Sequence, residues 1–252
     1  MTTVQAILDW FEAFAPVASA MDFDNVGLLV GAADAAVGKV MLALDITPAV
    51  AEEAAARGCE LIISHHPVIF QPLKRLHPAS APYLLARYGI AAVCMHTNLD
   101  LSERFGVNTC LAAALGVKNL RKSAAGECLF IGELAEPTPL SAFTDHIKRA
   151  LDCEGLRCTG VQPMVQTVAV SSGAGGSEIF AAAREGADVL VTGEIKHHEI
   201  NAANDLGVGV IDVGHFKSEN IVIAPLCRKL QEAFPEVDFT VSEAYSDGIR
   251  FM

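Results

Sequence analysis

The segment Leu61-Ile62-Ile63-Ser64-His65-His66-Pro67 places the tightest limit on how this chain can fold. An unbroken apolar run leads to two adjacent histidines and stops at a proline. The run from Cys59 to Ser64 reads as a mostly buried strand. Pro67 has no N–H for a ladder and pushes His66 towards extended geometry. Both imidazoles therefore stand where a strand ends and a loop begins, the usual place for a site on an open α/β sheet. Two histidines there are a common start for a transition-metal site, since neutral imidazole suits zinc, iron, manganese, cobalt or nickel. Taken alone, the dipeptide equally fits one histidine capping the core and one facing solvent.

Similar runs recur on both sides. Val40–Leu44 is an apolar strand closed by Asp45. Thr47 then serves as a helix N-cap with Pro48 in the first turn, and an alanine- and glutamate-rich body runs to Arg57, stopped by Gly58. Strand, helix, strand in this order predicts a parallel βαβ unit. Ile90–Met95 is the next strand and ends in His96-Thr97-Asn98-Leu99-Asp100; in extended geometry His96, Asn98 and Asp100 would share one face. Gly106-Val107-Asn108 opens an alanine-rich helix to Leu115, with Ser102 and Asn108 as cap candidates. Gln166–Val170 runs into the glycine-rich stretch Ser171–Ser177 and a helix from Glu178 to Arg184. That stretch reads as a tight turn or, less simply, as a cradle of backbone N–H groups for an anion. Ala187–Val191 ends in Thr192-Gly193-Glu194, with His197-His198 close behind. Val208–Val213 is followed by Gly214-His215, and a helix starting there puts His215 and Glu219 on one face. That helix is expected to reach about Phe234, with Pro225 either bending it or marking a second start, before a last strand at Val237–Val241.

Other segments fill in an α/β chain. Apolar positions at helical spacing predict a first helix over residues 3–15. Asp22-Phe23-Asp24-Asn25 reads as a turn feeding a short strand, or as a carboxylate and an amide reaching a site. Further helices are expected at Pro82–Tyr88 and Leu140–Leu151, and short strands around Cys128–Leu134. A boundary near residue 120 would give a first lobe, residues 1–120, with the His-His and Asp donors, and a second, residues 121–252, with the C-terminal His and Glu donors.

Composition narrows the partners. The 252 residues are 52% hydrophobic, enough to bury a substantial core, and carry a net charge of −12. The longest basic clusters are pairs such as Lys74-Arg75, which are either solvated surface or contacts for an anionic substrate. Nucleic acid is not expected as a general partner, because phosphate neutralisation dominates such binding. Seven cysteines without a Cys-x-x-Cys pair make neither a disulfide framework nor a zinc ribbon, and point to a reducing compartment. With neither a signal peptide nor a membrane-length apolar run expected, the cytoplasm is the expected location.

Six of the eight histidines lie within a few residues of a strand end. Titratable groups that converge in this way are the mark of a site. Their number exceeds what one closed tetrahedral zinc needs, and a carboxylate able to bridge, such as Asp100, suggests two ions. With these motifs assembled, the sequence resembles the Nif-three-like family, also known as type 2 GTP cyclohydrolase homologues. The motifs that carry the resemblance are Asp24-Asn25-Val26-Gly27-Leu28, Ser64-His65-His66-Pro67, His96-Thr97-Asn98-Leu99-Asp100, Gly106-Val107-Asn108, Thr192-Gly193-Glu194 with His197-His198, and Gly214-His215 to Glu219. Departures from the family's usual residues occur at Phe23, Phe216, Ser218 and Asp247-Gly248, and none removes a metal ligand. The resemblance implies an α/β fold of two interlocked lobes with mixed sheets, and a homohexamer with metal sites facing an inner cavity. It implies His65, His66, Asp100, His215 and Glu219 as ligands of two divalent transition-metal ions (zinc, iron, manganese or cobalt), with Asp100 and Glu219 bridging. The expected activity is a dinuclear metal-dependent hydrolase acting on a small molecule, by the family's name a purine nucleotide whose ring is opened. Glu194 or His96 would shuttle the proton, or else orient a ligand. The alternatives are a metal-dependent phosphoesterase and a non-enzymatic metal-binding or scaffold protein.

Overall fold

Apolar runs of four or five residues alternate with alanine-rich stretches, and the computed structural model, which describes residues 1–160 and 162–250, turns them into strands and helices. In chain order these are α1 (Val4–Glu12), β1 (Gly27–Val30), β2 (Lys39–Ala43), α2 (Pro48–Ala56), β3 (Leu61–Ser64), α3 (Ala81–Tyr88), β4 (Ala91–Cys94), α4 (Thr97–Asp100), α5 (Val107–Ala114), β5 (Lys118–Lys122), β6 (Phe130–Pro139), α6 (Leu140–Ala150), β7 (Arg157–Cys158), β8 (Met164–Ser171), α7 (Ile179–Arg184), β9 (Val189–Thr192), α8 (His197–Leu206), β10 (Gly209–Asp212), α9 (His215–Glu219), α10 (Ile223–Ala233) and β11 (Asp238–Val241). The chain divides into two compact units. The first is Met1–Leu101 with Ile223–Ser246, and the second is Ser102–Val222 with the C-terminal residues from Asp247. The chain thus leaves the first unit, builds the second, and returns with α10 and β11.

The first unit holds a five-stranded sheet in the order β1-β4-β3-β2-β11. Four strands are parallel, and β1 lies antiparallel on the β4 edge. The expected β2-α2-β3 crossover is present: Thr47 Oγ1 accepts the Val50 N–H at 3.2 Å, and Pro48 fills the first helical position. All four residues of β3 are buried. Met41, Ile62 and Ala92 of three neighbouring strands pack with Val50, Ala54, Leu84 and Leu85 from α2 and α3. β3 is the central strand, so His65 and His66 leave the carboxyl end of the most enclosed position in the sheet.

The second unit holds a six-stranded sheet in the order β5-β6-β8-β9-β10-β7. β8, β9 and β10 are parallel, and β5, β6 and β7 join antiparallel. Both sheets are therefore mixed. Side chains alternate across a strand, so an unbroken apolar run needs cover on both faces. Val168, Val170, Val189, Val191 and Ile211 pack on one face with Leu111, Phe143 and Ile147. Ala169, Leu190 and Val210 pack on the other with Ile179, Ala182 and Ala203. Among the described residues, no helix is long and apolar enough to cross a membrane.

Three local expectations change. Residues 97–100 are helical rather than extended: the His96 carbonyl accepts the N–H groups of Leu99 and Asp100 at 2.8 and 3.0 Å. The turn is capped from a distance by Asp24, which accepts the Thr97 N–H at 3.0 Å. The N-cap of α5 is Gly106, and Asn108 lies inside the helix, where its Oδ1 accepts the Ser172 N–H at 2.8 Å. The long helix from His215 breaks after Glu219 into a 3₁₀ turn at Asn220–Val222, and α10 begins where the chain re-enters the first unit, with Pro225 in its first turn. Three elements lack a pattern in the sequence: β5, a polar edge strand, the two-residue β7, and α8, whose start is fixed by Glu199 accepting the Lys196 N–H at 2.7 Å.

Candidate metal centre

In the first unit, the ends of β3 and β4 bring His65, His66, His96 and Asp100 together. His65 is 1% exposed, and its Nδ1 lies 2.9 Å from the Met95 carbonyl oxygen. A carbonyl can only accept, so Nδ1 carries the proton and Nε2 keeps a lone pair. His66 Nδ1 lies 2.9 Å from Asp45 Oδ1, and His96 Nδ1 lies 2.8 Å from Asp24 Oδ1. An oxygen acceptor at one nitrogen fixes tautomer and ring orientation, the usual support of a metal-ligating imidazole. One ring nitrogen from each of His65, His66 and His96 lies within 4.8 Å of the others. Asp100 Oδ1 stands 3.6 Å from His65 Nε2. That is too long for a hydrogen bond, but it suits two donors of one ion, since ligand distances of about 2.0–2.2 Å at tetrahedral angles separate donors by roughly 3.4 Å. Nitrogen and carboxylate donors in this arrangement fit a divalent transition metal.

Asp24 is the buried support of this group. Its side chain is fully enclosed, and burial alone would raise its carboxyl pKa. The hydrogen bonds from His96 and from the Thr97 hydroxyl and N–H outweigh burial and hold it well below the usual carboxylate range. The sequence offered Asp24 as either turn or site residue, and the side chain performs both tasks. In the sequence Asp45 reads only as the residue closing a strand; its position directly after an apolar run is the signal that it could reach a site.

In the second unit, α9 carries His215 and Glu219 one turn apart, with His215 Nε2 3.0 Å from Glu219 Oε2. His215 Nδ1 lies 2.8 Å from Glu194 Oε1, repeating the carboxylate support seen at His66 and His96. Glu219 is 4% exposed. Gly173, at φ +59°, lies against its carboxylate and against His215 Nε2, where a Cβ would collide with the carboxylate. The Gly173 N–H donates to Ser218 Oγ at 3.0 Å. Gly175 is likewise pressed against Ser171 and Thr192, and Gly176 against Glu199. The glycine-rich stretch is therefore packed closely against α9 at Gly173, the ends of β8 and β9 at Gly175 and α8 at Gly176, which accounts for these glycines without an anion. A cavity of about 980 Å³ borders this group and is lined by His215, Glu194, Lys196, Arg157 and Asp212 among others. His197 and His198 are exposed on the first turn of α8 and belong to neither donor group.

The family model described as Duf34/NIF3 (NGG1p interacting factor 3) matches residues 2–248. A curated Clostridium perfringens protein named GTP cyclohydrolase 1 type 2 homolog is 31% identical over 261 residues, covering 98% of each chain. The crystal structure of a Bacillus cereus protein related to NIF3 is similar with a TM-score of 0.92 at 25% identity, covering 100% of this chain and 99% of that one. The Staphylococcus aureus protein SA1388 is similar with a TM-score of 0.91 at 26% identity, covering 99% of each.

Proposed function

From the premise that the chain belongs to the Duf34/NIF3 family, we propose that it is a metal-dependent hydrolase holding two divalent transition-metal ions. The observation that carries this reading is a shared arrangement: His65, His66, His96 and His215 each engage an oxygen acceptor through Nδ1. Four imidazoles prepared alike go beyond what core packing requires. The proposed ligands are His65, His66 and Asp100 in the first unit and His215 and Glu219 in the second. When bound, divalent ions supply Lewis-acid activation of water and of a substrate oxygen. The chain's own part is to orient and to move a proton. With Asp24 holding its Nδ1–H, His96 keeps Nε2 as a base that takes a proton from the attacking water and returns it to the leaving group. Glu194 is assigned a positioning role, since its contact is with His215. The relatives' name makes a purine nucleotide the first substrate to try, with hydrolytic ring opening as the reaction. A homohexamer in the cytoplasm completes the proposal; seven cysteines without a Cys-x-x-Cys pair suit a reducing compartment, and light scattering would measure the assembly.

The test is turnover of GTP and a phosphoester panel by protein reconstituted with zinc, manganese, iron or cobalt, beside Asp100→Ala. The expected result is metal-dependent turnover, with both metal and activity lost in the variant. Turnover that survives in Asp100→Ala comes from a contaminant, and metal binding without turnover on any substrate favours a binding or scaffold role.

A further inference from the structure

Two phenylalanines of the first unit keep large apolar faces in solvent: Phe23 is 60% exposed and Phe70 43%. Single exposed hydrophobic residues are ordinary and need no explanation. These two form a group. Their ring centroids are 6.3 Å apart at an interplanar angle of 60°. Phe70 in turn stands 6.4 Å from the His96 ring at 83°. Nor are they on loosely held chain. Phe23 directly precedes Asp24, whose carboxylate is fixed by His96 and Thr97. Phe70 directly follows Ile69, whose carbonyl accepts Asn25 Nδ2 at 2.5 Å. The segment that holds His96 in place therefore carries one ring and ties down the other, next to the one imidazole assigned a proton.

We propose that Phe23 and Phe70 form a stacking platform for a planar heteroaromatic ring of the substrate, a role that rests on the hydrolytic reading of the neighbouring imidazoles. Aromatic faces favour offset or edge-to-face contact with other rings. Asn25 and His96, which stand beside the platform and keep some exposure, are polar. An occupant that suits both has apolar faces and a hydrogen-bonding edge, which describes a nucleobase-like ring and excludes an alkyl chain or a bare phosphate. Held on Phe70, such a ring would lie beside His96, where the proton is to be moved.

Guanosine monophosphate and ribose 5-phosphate share sugar and phosphate and differ in the base, so they isolate the ring. Their affinities are measured by calorimetry on the full chain, both chelator-treated and manganese-loaded. Wild-type protein should bind the nucleotide about tenfold or more tightly than the sugar phosphate. The base advantage should vanish in the Phe23→Ala/Phe70→Ala double variant and persist in Phe23→Tyr/Phe70→Tyr. An advantage lost in this way upholds the platform even where no turnover is found, so its fate is separate from that of the hydrolase reading. A wild type with no base advantage, or an advantage unchanged in the alanine double variant, overturns it. A change of oligomeric state in the alanine variant with base binding unaltered also overturns it, and makes the two rings a contact between copies of the chain.

Discussion

Asp24 shows how much a single side chain can organise. One carboxylate oxygen holds His96 Nδ1, and the other accepts from Thr97, so the same group orients an imidazole and caps the turn that carries Asp100. Asp24→Asn keeps the shape but offers an amide where acceptors are needed. Turnover should fall by about 10- to 100-fold, while metal content measured by mass spectrometry stays close to wild type. Equal loss of metal would place Asp24 in the support of the ligands instead. Gly173 is the second critical residue, for steric reasons. Alanine there meets the Glu219 carboxylate in a left-handed backbone conformation. Gly173→Ala should destabilise by about 1–3 kcal/mol in urea unfolding and weaken metal binding. Gly186→Ala is the control: its φ is +75°, but nothing lies within 4 Å of the added carbon, so it should carry only the backbone cost and leave metal binding alone.

Elements in the second unit are tied by a residue with no part in the proposed chemistry. Glu185, just beyond α7, accepts from Arg121 at 2.7 Å, from Ser123 Oγ at 2.6 Å and from the Ala124 N–H at 3.1 Å, joining the helix end to β5 and the loop after it. The Arg121 and Ser123 hydrogen bonds lower its pKa from 4.5 to about 2. A depressed carboxylate adds stability above its unfolded pKa and loses it as pH falls through the folded one. Wild-type stability should therefore drop between about pH 5 and pH 2 in a way that Glu185→Gln does not. Urea midpoints across that range measure it, and parallel curves for the two proteins would remove Glu185 from the account. The same scale shows where local pattern was sufficient. Thr47-Pro48 and the apolar run Val40–Leu44 act through neighbours in the chain, so α2 and β2 were legible. The turn at Thr97–Asp100 depends on Asp24, more than seventy residues away, and its helical form was not.

On the scale of the molecule, two α/β units with mixed sheets are threaded so that the last helix and strand complete the first sheet. Metal bound only by the folded state stabilises it by mass action, about 4 kcal/mol at a free concentration one thousand times Kd. Chelation should lower the melting temperature, and adding back one suitable metal should restore it. Asp100→Ala should show a smaller response, and a wild-type melting temperature indifferent to metal would count against a folded-state metal site.

The sequence by itself determined the fold class, the family and the positions where histidines and carboxylates follow buried strands. Periodicity, proline and glycine act within a few residues, so a chain read in order reveals them. Tertiary structure alone decided which oxygen holds each imidazole. Met95, Asp45, Asp24 and Glu194 take up Nδ1 of His65, His66, His96 and His215 from other parts of the chain. Such pairings depend on strand register and loop path, which no local pattern encodes. The glycines of Ser171–Ser177 belong with them: as sequence they suggested a turn or a cradle, and only the packed Glu219 and Ser171 side chains explain why no larger residue fits.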